Sequence, residues 1–217
     1  MNADKIEERD FYDATIPAWE RHYARPRSMQ EYPDENLVRL VKRFPLGPVL
    51  DYGCGSGRHI HLLLNEGFTE VYGTDISQTA LRSCSELYPD IRFIMPDEII
   101  SNDGGFRLPF EDESLAAIIA WGVLHYNSEE AIRSLLQEFA RVLRPGGVLA
   151  GTLRAAGDTH FRSNTDMADV RIATYELDEA RALISSQFPQ TDFGYAERSP
   201  VGELSRKICH WLFFSIR

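Results

Sequence analysis

The sequence predicts an α/β fold, a mostly parallel sheet with helices on both faces. Three observations carry that expectation. Short apolar runs alternate with helical patterns between residues 49 and 154. A glycine-rich loop, "VLDYGCGSGRH", joins the first such run to the first such helix. The last two strand-like runs have no helix between them, which makes that pair antiparallel.

Taken in order, Ile6, Phe11, Tyr12, Ile16, Trp19 and Tyr23 recur at near-helical intervals with Pro17 interrupting, so two short helices are expected there. "EYPDENLVRLVKRF" places Pro33 at a first helical position and sets Leu37, Leu40, Val41 and Phe44 on one apolar face. "PVLDYG", "GRHIHLLLNEG" and "EVYGTD" read as strand, helix ended by Gly67, and strand. Ser77 caps the next helix, "IRFIM" is a third strand, and the unbroken apolar run "SLAAIIAW" suits a central strand buried on both faces. Ser128 caps a helix with Ile132, Leu135, Leu136, Phe139 and Leu143 on one stripe, "PGG" stops it, and "VLAGTL" is a fifth strand. Beyond a polar stretch come a helix capped by Asp178 and strands near Thr191–Glu197 and Lys207–Ile216. The connection "DEIISNDGGF" is longer than most in compact domains and marks itself for a functional role.

A chain of 217 residues fits one domain able to bury a sizeable core. Its formal charge of −10 works against tight binding to nucleic-acid phosphates, so no nucleic-acid partner is expected. The charged N-terminus and the lack of a long apolar run argue against a signal peptide or membrane span. Cys54, Cys84 and Cys209 are odd in number and without C-x-x-C spacing, which suggests neither disulfides nor a metal site and fits a soluble cytoplasmic protein.

In an open parallel sheet ligands sit beyond the carboxyl ends of the strands, where the Gly53–Gly57 loop lies. A dinucleotide fingerprint requires G-x-G-x-x-G, yet counting from Gly53 or Gly55 ends on Arg58 or Ile60, which disfavours ordinary NAD binding. Asp51 stands ahead of the glycines, where it would repel a pyrophosphate and suit a cation. Asp75 closes the second strand, where its two oxygens can accept from both hydroxyls of a ribose. Together they point to an adenosyl ligand without phosphates.

With these motifs the chain resembles the class I S-adenosylmethionine-dependent methyltransferases. "VLDYGCGSGRH" resembles that family's glycine motif, "VYGTDIS" its ribose-binding acid, "LPFEDESLAAIIAWGVLHY" its fourth-strand segment and "EFARVLRPGGVL" the helix and turn before strand five. The resemblance, over roughly Asp34 to Leu153, implies a Rossmann-like seven-stranded sheet with its last strand reversed. It implies that Gly53 and Gly55 face the methionine end of S-adenosylmethionine, Asp75 takes the ribose, and Ile76 packs on the adenine. The family's acid after strand three, which receives the adenine amino group, corresponds to Asp97 or Asp103, and the longer connection leaves both open.

Several candidates carry two readings. Asp51 ties loop N–H groups, meets the ligand's ammonium, or does both. Cys54 is a thiol with a lowered pKa at a helix start, or a small residue that fits the loop. Arg58 pairs with the cofactor carboxylate or stays solvated. Trp121 walls the sulfonium or packs in the core. His125 is a candidate base, against a hydrogen-bonded structural histidine, with Tyr126 beside it. Tyr12, Trp19 and Tyr23 form a lid or plain helix packing; His160 and Arg162 help build an acceptor pocket or lie in a surface loop.

The expected division is a helical lid over 1–33, a cofactor core over 34–153, and an acceptor-side insertion and hairpin over 154–217. The expected activity is methyl transfer to oxygen or nitrogen of a small metabolite, giving S-adenosylhomocysteine, with no metal and no membrane partner. The alternatives are an RNA or protein methyltransferase and a noncatalytic regulatory protein that binds an adenosyl ligand.

Overall fold

The computed structural model describes residues 15–99, 106–160 and 170–217, without the side chain of Asp97. Helix α1 covers residues 15–23 and contains Pro17; the first of the two expected N-terminal helices lies outside the described residues. Seven strands follow: β1 (Val49–Tyr52), β2 (Val71–Thr74), β3 (Arg92–Ile94), β4 (Leu115–Ala120), β5 (Leu143–Arg154), β6 (Gln190–Arg198) and β7 (Ile208–Ile216). The interleaved helices are α2 (Glu35–Leu40), α3 (Arg58–Asn65), α4 (Gln78–Leu87), α5 (Pro96–Ile99), α6 (Glu129–Val142) and α7 (Leu177–Ser185).

The sheet order is β3-β2-β1-β4-β5-β7-β6. β1 to β5 pair in parallel, while β7 inserts antiparallel between β5 and β6. The reversed last strand expected from the C-terminal pair is present. The order reverses between β1 and β4, and that switch point opens the crevice in which such sheets bind ligands.

Both faces of the sheet are covered. Every residue of β4 is buried, and its side chains alternate between two cores. Ile118 and Ala120 join α6 and α7 residues such as Leu135, Phe139 and Leu183. Ala117 and Ile119 join Leu37 of α2 and Ile60 and Leu63 of α3. A strand buried on both sides reads as a continuous apolar run, as "LAAIIA" does.

The caps explain most helix starts. Ser77 accepts from the Ala80 N–H and Ser128 from the Ala131 N–H. Two expectations are corrected. Pro33 is not the first residue of α2, because Asp34 is the cap and accepts from the Asn36 N–H at 2.9 Å. α7 is capped by Glu176 rather than Asp178, since a reciprocal box with Glu179 satisfies two backbone donors two residues earlier.

Phe139 is fully buried and meets the ring of Tyr52 edge to face at 5.1 Å, directly behind the crevice. Phe139→Ala should lower stability by roughly 3–5 kcal/mol, the usual cost of a large buried cavity. Urea unfolding monitored by tryptophan fluorescence checks this.

Candidate active site

The β1–α3 loop makes three left-handed turns, at Gly53 (φ 77°), Gly55 (φ 53°) and Gly57 (φ 82°). Its backbone is clamped to the end of β2: the Gly53 and Cys54 N–H groups both donate to the Thr74 carbonyl at 2.8 Å. A Cβ on Gly53 would lie 2.6 Å from Val123 Cγ2, and one on Gly55 would lie 2.5 Å from the Tyr23 hydroxyl. Positive φ and close packing both demand glycine at these two positions.

Asp75 completes the clamp. One carboxylate oxygen accepts from the Gly55 N–H at 2.9 Å and the other from the Ser77 N–H at 3.0 Å. Burial raises its pKa to about 6, against the lowering effect of those two donors, and Asp51 and Glu20 add like-charge repulsion. Asp51 is fully buried, with His59 Nδ1 3.7 Å from one oxygen, and neither oxygen has a hydrogen-bond partner among the described residues. Open acceptor lone pairs on a buried carboxylate match a cationic N–H donor.

A pocket partly open to solvent lies at this crevice. Gly53, Asp75 and Ile76 line it on the sheet side, Gly122, Val123 and Tyr126 on the β4 side, and Trp19 and Tyr23 on the α1 side. Trp19 stacks on Tyr23 and meets Tyr126 edge to face at 4.8 Å. Two contacts strap the N-terminal segment down. Ser56 and Gln30 exchange hydrogen bonds between side chain and backbone. The Glu20 carboxylate accepts from the Thr79 N–H and hydroxyl, placing an anion on the first turn of α4. Burial would raise the Glu20 pKa, but hydrogen bonds from Thr79 and Ser77 outweigh it and lower it.

The structure therefore brings Gly53, Asp75, Ile76, Trp19, Tyr23 and Tyr126 to one pocket, with Gly55 under the Tyr23 hydroxyl. Other expected residues lie elsewhere. Trp121 packs among Val49, Ile60 and Phe214, because strand alternation turns it to the face opposite Ala120. The Cys54 side chain packs against Leu81 and Cys84, and its hydrogen bond to Cys84, together with burial, raises its pKa well above normal, so it is no activated thiolate.

His125 is buried behind Tyr126 and does not line the pocket. Burial, then the charges of Arg154 and His210, push its pKa well below normal. Arg58 is half-buried just beyond the loop, its pKa lowered by burial and supported by Asp34 and Asp51. His160 lies beyond β5, where its N–H donates to Asp158 at 2.9 Å, and is not among the pocket residues. Asp97 falls in α5, but its side chain, like Tyr12, Asp103 and Arg162, lies outside the described residues.

Sequence reasoning missed Tyr52, Thr74, Ile99, Val123 and Asn127 on the pocket wall. "WGVLHYN" offered one signal: Gly122 (φ 78°) directly after a buried strand, its N–H held by the Thr152 hydroxyl at 2.9 Å. Among the described residues no cluster of three or more His, Cys, Asp or Glu is placed to hold a metal, and no helix is long and apolar enough to cross a membrane.

Two outcomes are expected of this geometry. Gly53→Ala, forced against Val123, should weaken S-adenosylhomocysteine binding at least about tenfold, read by calorimetry, because a strained loop cannot keep its ligand-facing shape. The pH effects of Asp75 run in opposite senses. Its folded pKa lies above the ordinary 3.8, so its contribution to stability is full below that value and is lost as pH rises to about 6. Affinity for a ribose should instead tighten between pH 5 and 7 with a midpoint near 6, and Asp75→Asn should flatten that profile.

Residues 49–147 match the family model of the methyltransferase domain. A tRNA (carboxymethyluridine(34)-5-O)-methyltransferase of Arabidopsis thaliana is 31% identical over 147 residues, covering 67% of this chain and 32% of that protein. A malonyl-[acyl-carrier protein] O-methyltransferase of Salmonella typhimurium is 28% identical over 177 residues, covering 81% of this chain and 62% of that protein. The chain thus spans less than two thirds of either relative. A solved S-adenosylmethionine-dependent methyltransferase from Anabaena variabilis superposes with a TM-score of 0.63 at 17% identity over 95% of each chain, a likeness of fold. The matched domain, the seven-stranded sheet with its reversed last strand, and a glycine loop hydrogen-bonded to the acid that follows β2 together make this chain a member of the class I S-adenosylmethionine-dependent methyltransferases.

Proposed function

We propose that this methyltransferase acts on an oxygen of a small-molecule acceptor, in a reducing cytoplasmic setting that suits its three unpaired, buried cysteines. The observation that carries the reading is the aromatic roof. Trp19 and Tyr23 of α1 stand over the pocket, and Glu20 and Gln30 fasten that segment to α4 and the glycine loop. A roofed pocket admits a small group and keeps water out. The names of both relatives specify O-methylation, one on a tRNA nucleoside and one on a carrier-bound malonyl group.

Bound S-adenosylmethionine supplies an activated methyl on a sulfonium. Asp75 holds the ribose hydroxyls, Ile76 covers the adenine, and Asp51 receives the ammonium behind the loop. Arg58 takes the cofactor carboxylate. Trp19, Tyr23 and Tyr126 fix the acceptor against the donor, and this positioning is the main source of rate, an effect that can reach several kcal/mol. His125, buried and uncharged behind Tyr126, supports that wall and removes no proton. Lid (1–33), cofactor core (34–153) and acceptor side (154–217) divide these tasks.

A second reading, an RNA acceptor, is favoured by the tRNA-acting relative. Calorimetry with S-adenosylmethionine and S-adenosylhomocysteine tests the cofactor half: the wild type should bind both, and folded Asp75→Ala should bind at least about tenfold more weakly, since it loses hydrogen bonds to a charged group. Absence of binding by the wild type overturns the reading. Salt-sensitive binding of unmodified tRNA, with methyl incorporation into it, would replace the small acceptor with RNA.

A further inference from the structure

We infer that the acceptor of this site carries a carboxylate, held at the hydroxyl of Tyr126 with Arg154 behind it as a positioning residue; the inference rests on the methyl-transfer reading above. Tyr126 lines the pocket, and its oxygen lies 3.5 Å from Arg154 Nη2. A phenol that accepts from a guanidinium keeps its own O–H free to donate, and the adjacent charge strengthens that donation toward an anion.

Arg154 is built into place. It ends β5, is 7% exposed, and its Nη1 is held by Asp158 at 2.7 Å. Asp158 is fixed in turn by the N–H groups of Cys209 and His160. Arg154 Nε is buried without a hydrogen-bond partner among the described residues, an unsatisfied donor that a purely structural ion pair has no reason to retain.

A second guanidinium, Arg198, acts on His210 together with Arg154, in a chain of net charge −10. β5, β7 and β6 place Arg154 beside His210, and His210 beside Ala196, two residues from Arg198 on the same face. His125 stands 5.8 Å from His210 and 4.4 Å from Tyr126, ring to ring. Burial and then the charge of Arg154 hold His210 down to about 4, so this pair adds no positive charge at neutral pH, while the guanidiniums stay charged. Arg58 and Arg198 carry no ion pair among the described residues. The carboxylates of Asp34 and Asp51 stand near Arg58 and those of Asp34 and Asp158 near His210, and the Arg154–Asp158 pair is in direct contact.

A protonated amine at the Tyr126 hydroxyl would have the Arg154 guanidinium behind it. A carboxylate is already deprotonated at neutral pH and needs only donors, and Tyr126 is among the residues that line the pocket.

The test titrates the full chain, saturated with S-adenosylhomocysteine, with glutarate, glutaramide and inorganic phosphate by calorimetry. Glutarate should bind at least about tenfold more tightly than glutaramide, the usual worth of hydrogen bonding to a charged group. Tyr126→Phe and Arg154→Gln should each remove most of that preference, and Arg154→Lys should restore part of it, with folding checked by near-ultraviolet circular dichroism. Should Arg154→Gln not fold, Tyr126→Phe and the wild-type comparison decide alone. Equal or absent binding of glutarate and glutaramide by protein that binds S-adenosylhomocysteine overturns the carboxylate and leaves the methyltransferase reading standing. Phosphate binding as tight as glutarate's overturns it too, in favour of a phosphorylated acceptor. Failure to bind S-adenosylhomocysteine sinks both.

Discussion

The Thr74 carbonyl is the point on which the site turns. By accepting from both Gly53 and Cys54 it locks the loop after β1 to the end of β2, and only then can the Gly55 N–H reach the Asp75 carboxylate. Two neighbouring parallel strands thus end in one rigid cradle. Val123, arriving from β4, fills the space that a side chain on Gly53 would need. Three strands and three loops therefore share one geometry, and the roof of α1 closes on a surface already set.

That dependence explains what could be read from residues in order. The loop, Asp75 and the strands that carry them are local features, legible because glycine spacing and apolar runs report backbone conformation directly. Tyr23, which lines the pocket, was legible as a candidate because an aromatic on an amphipathic helix needs something to cover. Trp121 was ambiguous for a definite reason: on a strand buried on both faces, apolarity no longer distinguishes the two sides, and only the pairing of Ala120 with Gly151 and its neighbours shows which way each side chain points. The caps at Asp34 and Glu176 were displaced by one or two residues from the expected helix starts, because several acceptors lie close together and the winner depends on how the preceding loop enters.

The acceptor side was the least legible part. β7 returns from the end of the chain to lie between β5 and β6, setting His210 next to Arg154. No local pattern announces a contact across 56 positions of sequence. The burial of His125 follows from the same insertion, since a solvent-facing histidine and one sealed beneath a late strand look alike in "WGVLHYN". The net charge of −10 is likewise silent on where the guanidiniums of Arg154 and Arg198 stand.

The two ends of the crevice are thereby opposed in charge. Behind the glycine loop lie Asp51 and Asp75, buried carboxylates that are costly to keep ionised without a partner. Beyond Tyr126 lie Arg154, balanced by Asp158 at close range, and Arg198, which acts with it on His210. A ligand pair whose cationic member meets the acids and whose anionic member meets the guanidiniums satisfies both ends at once, and each member strengthens the site for the other by completing the field between them.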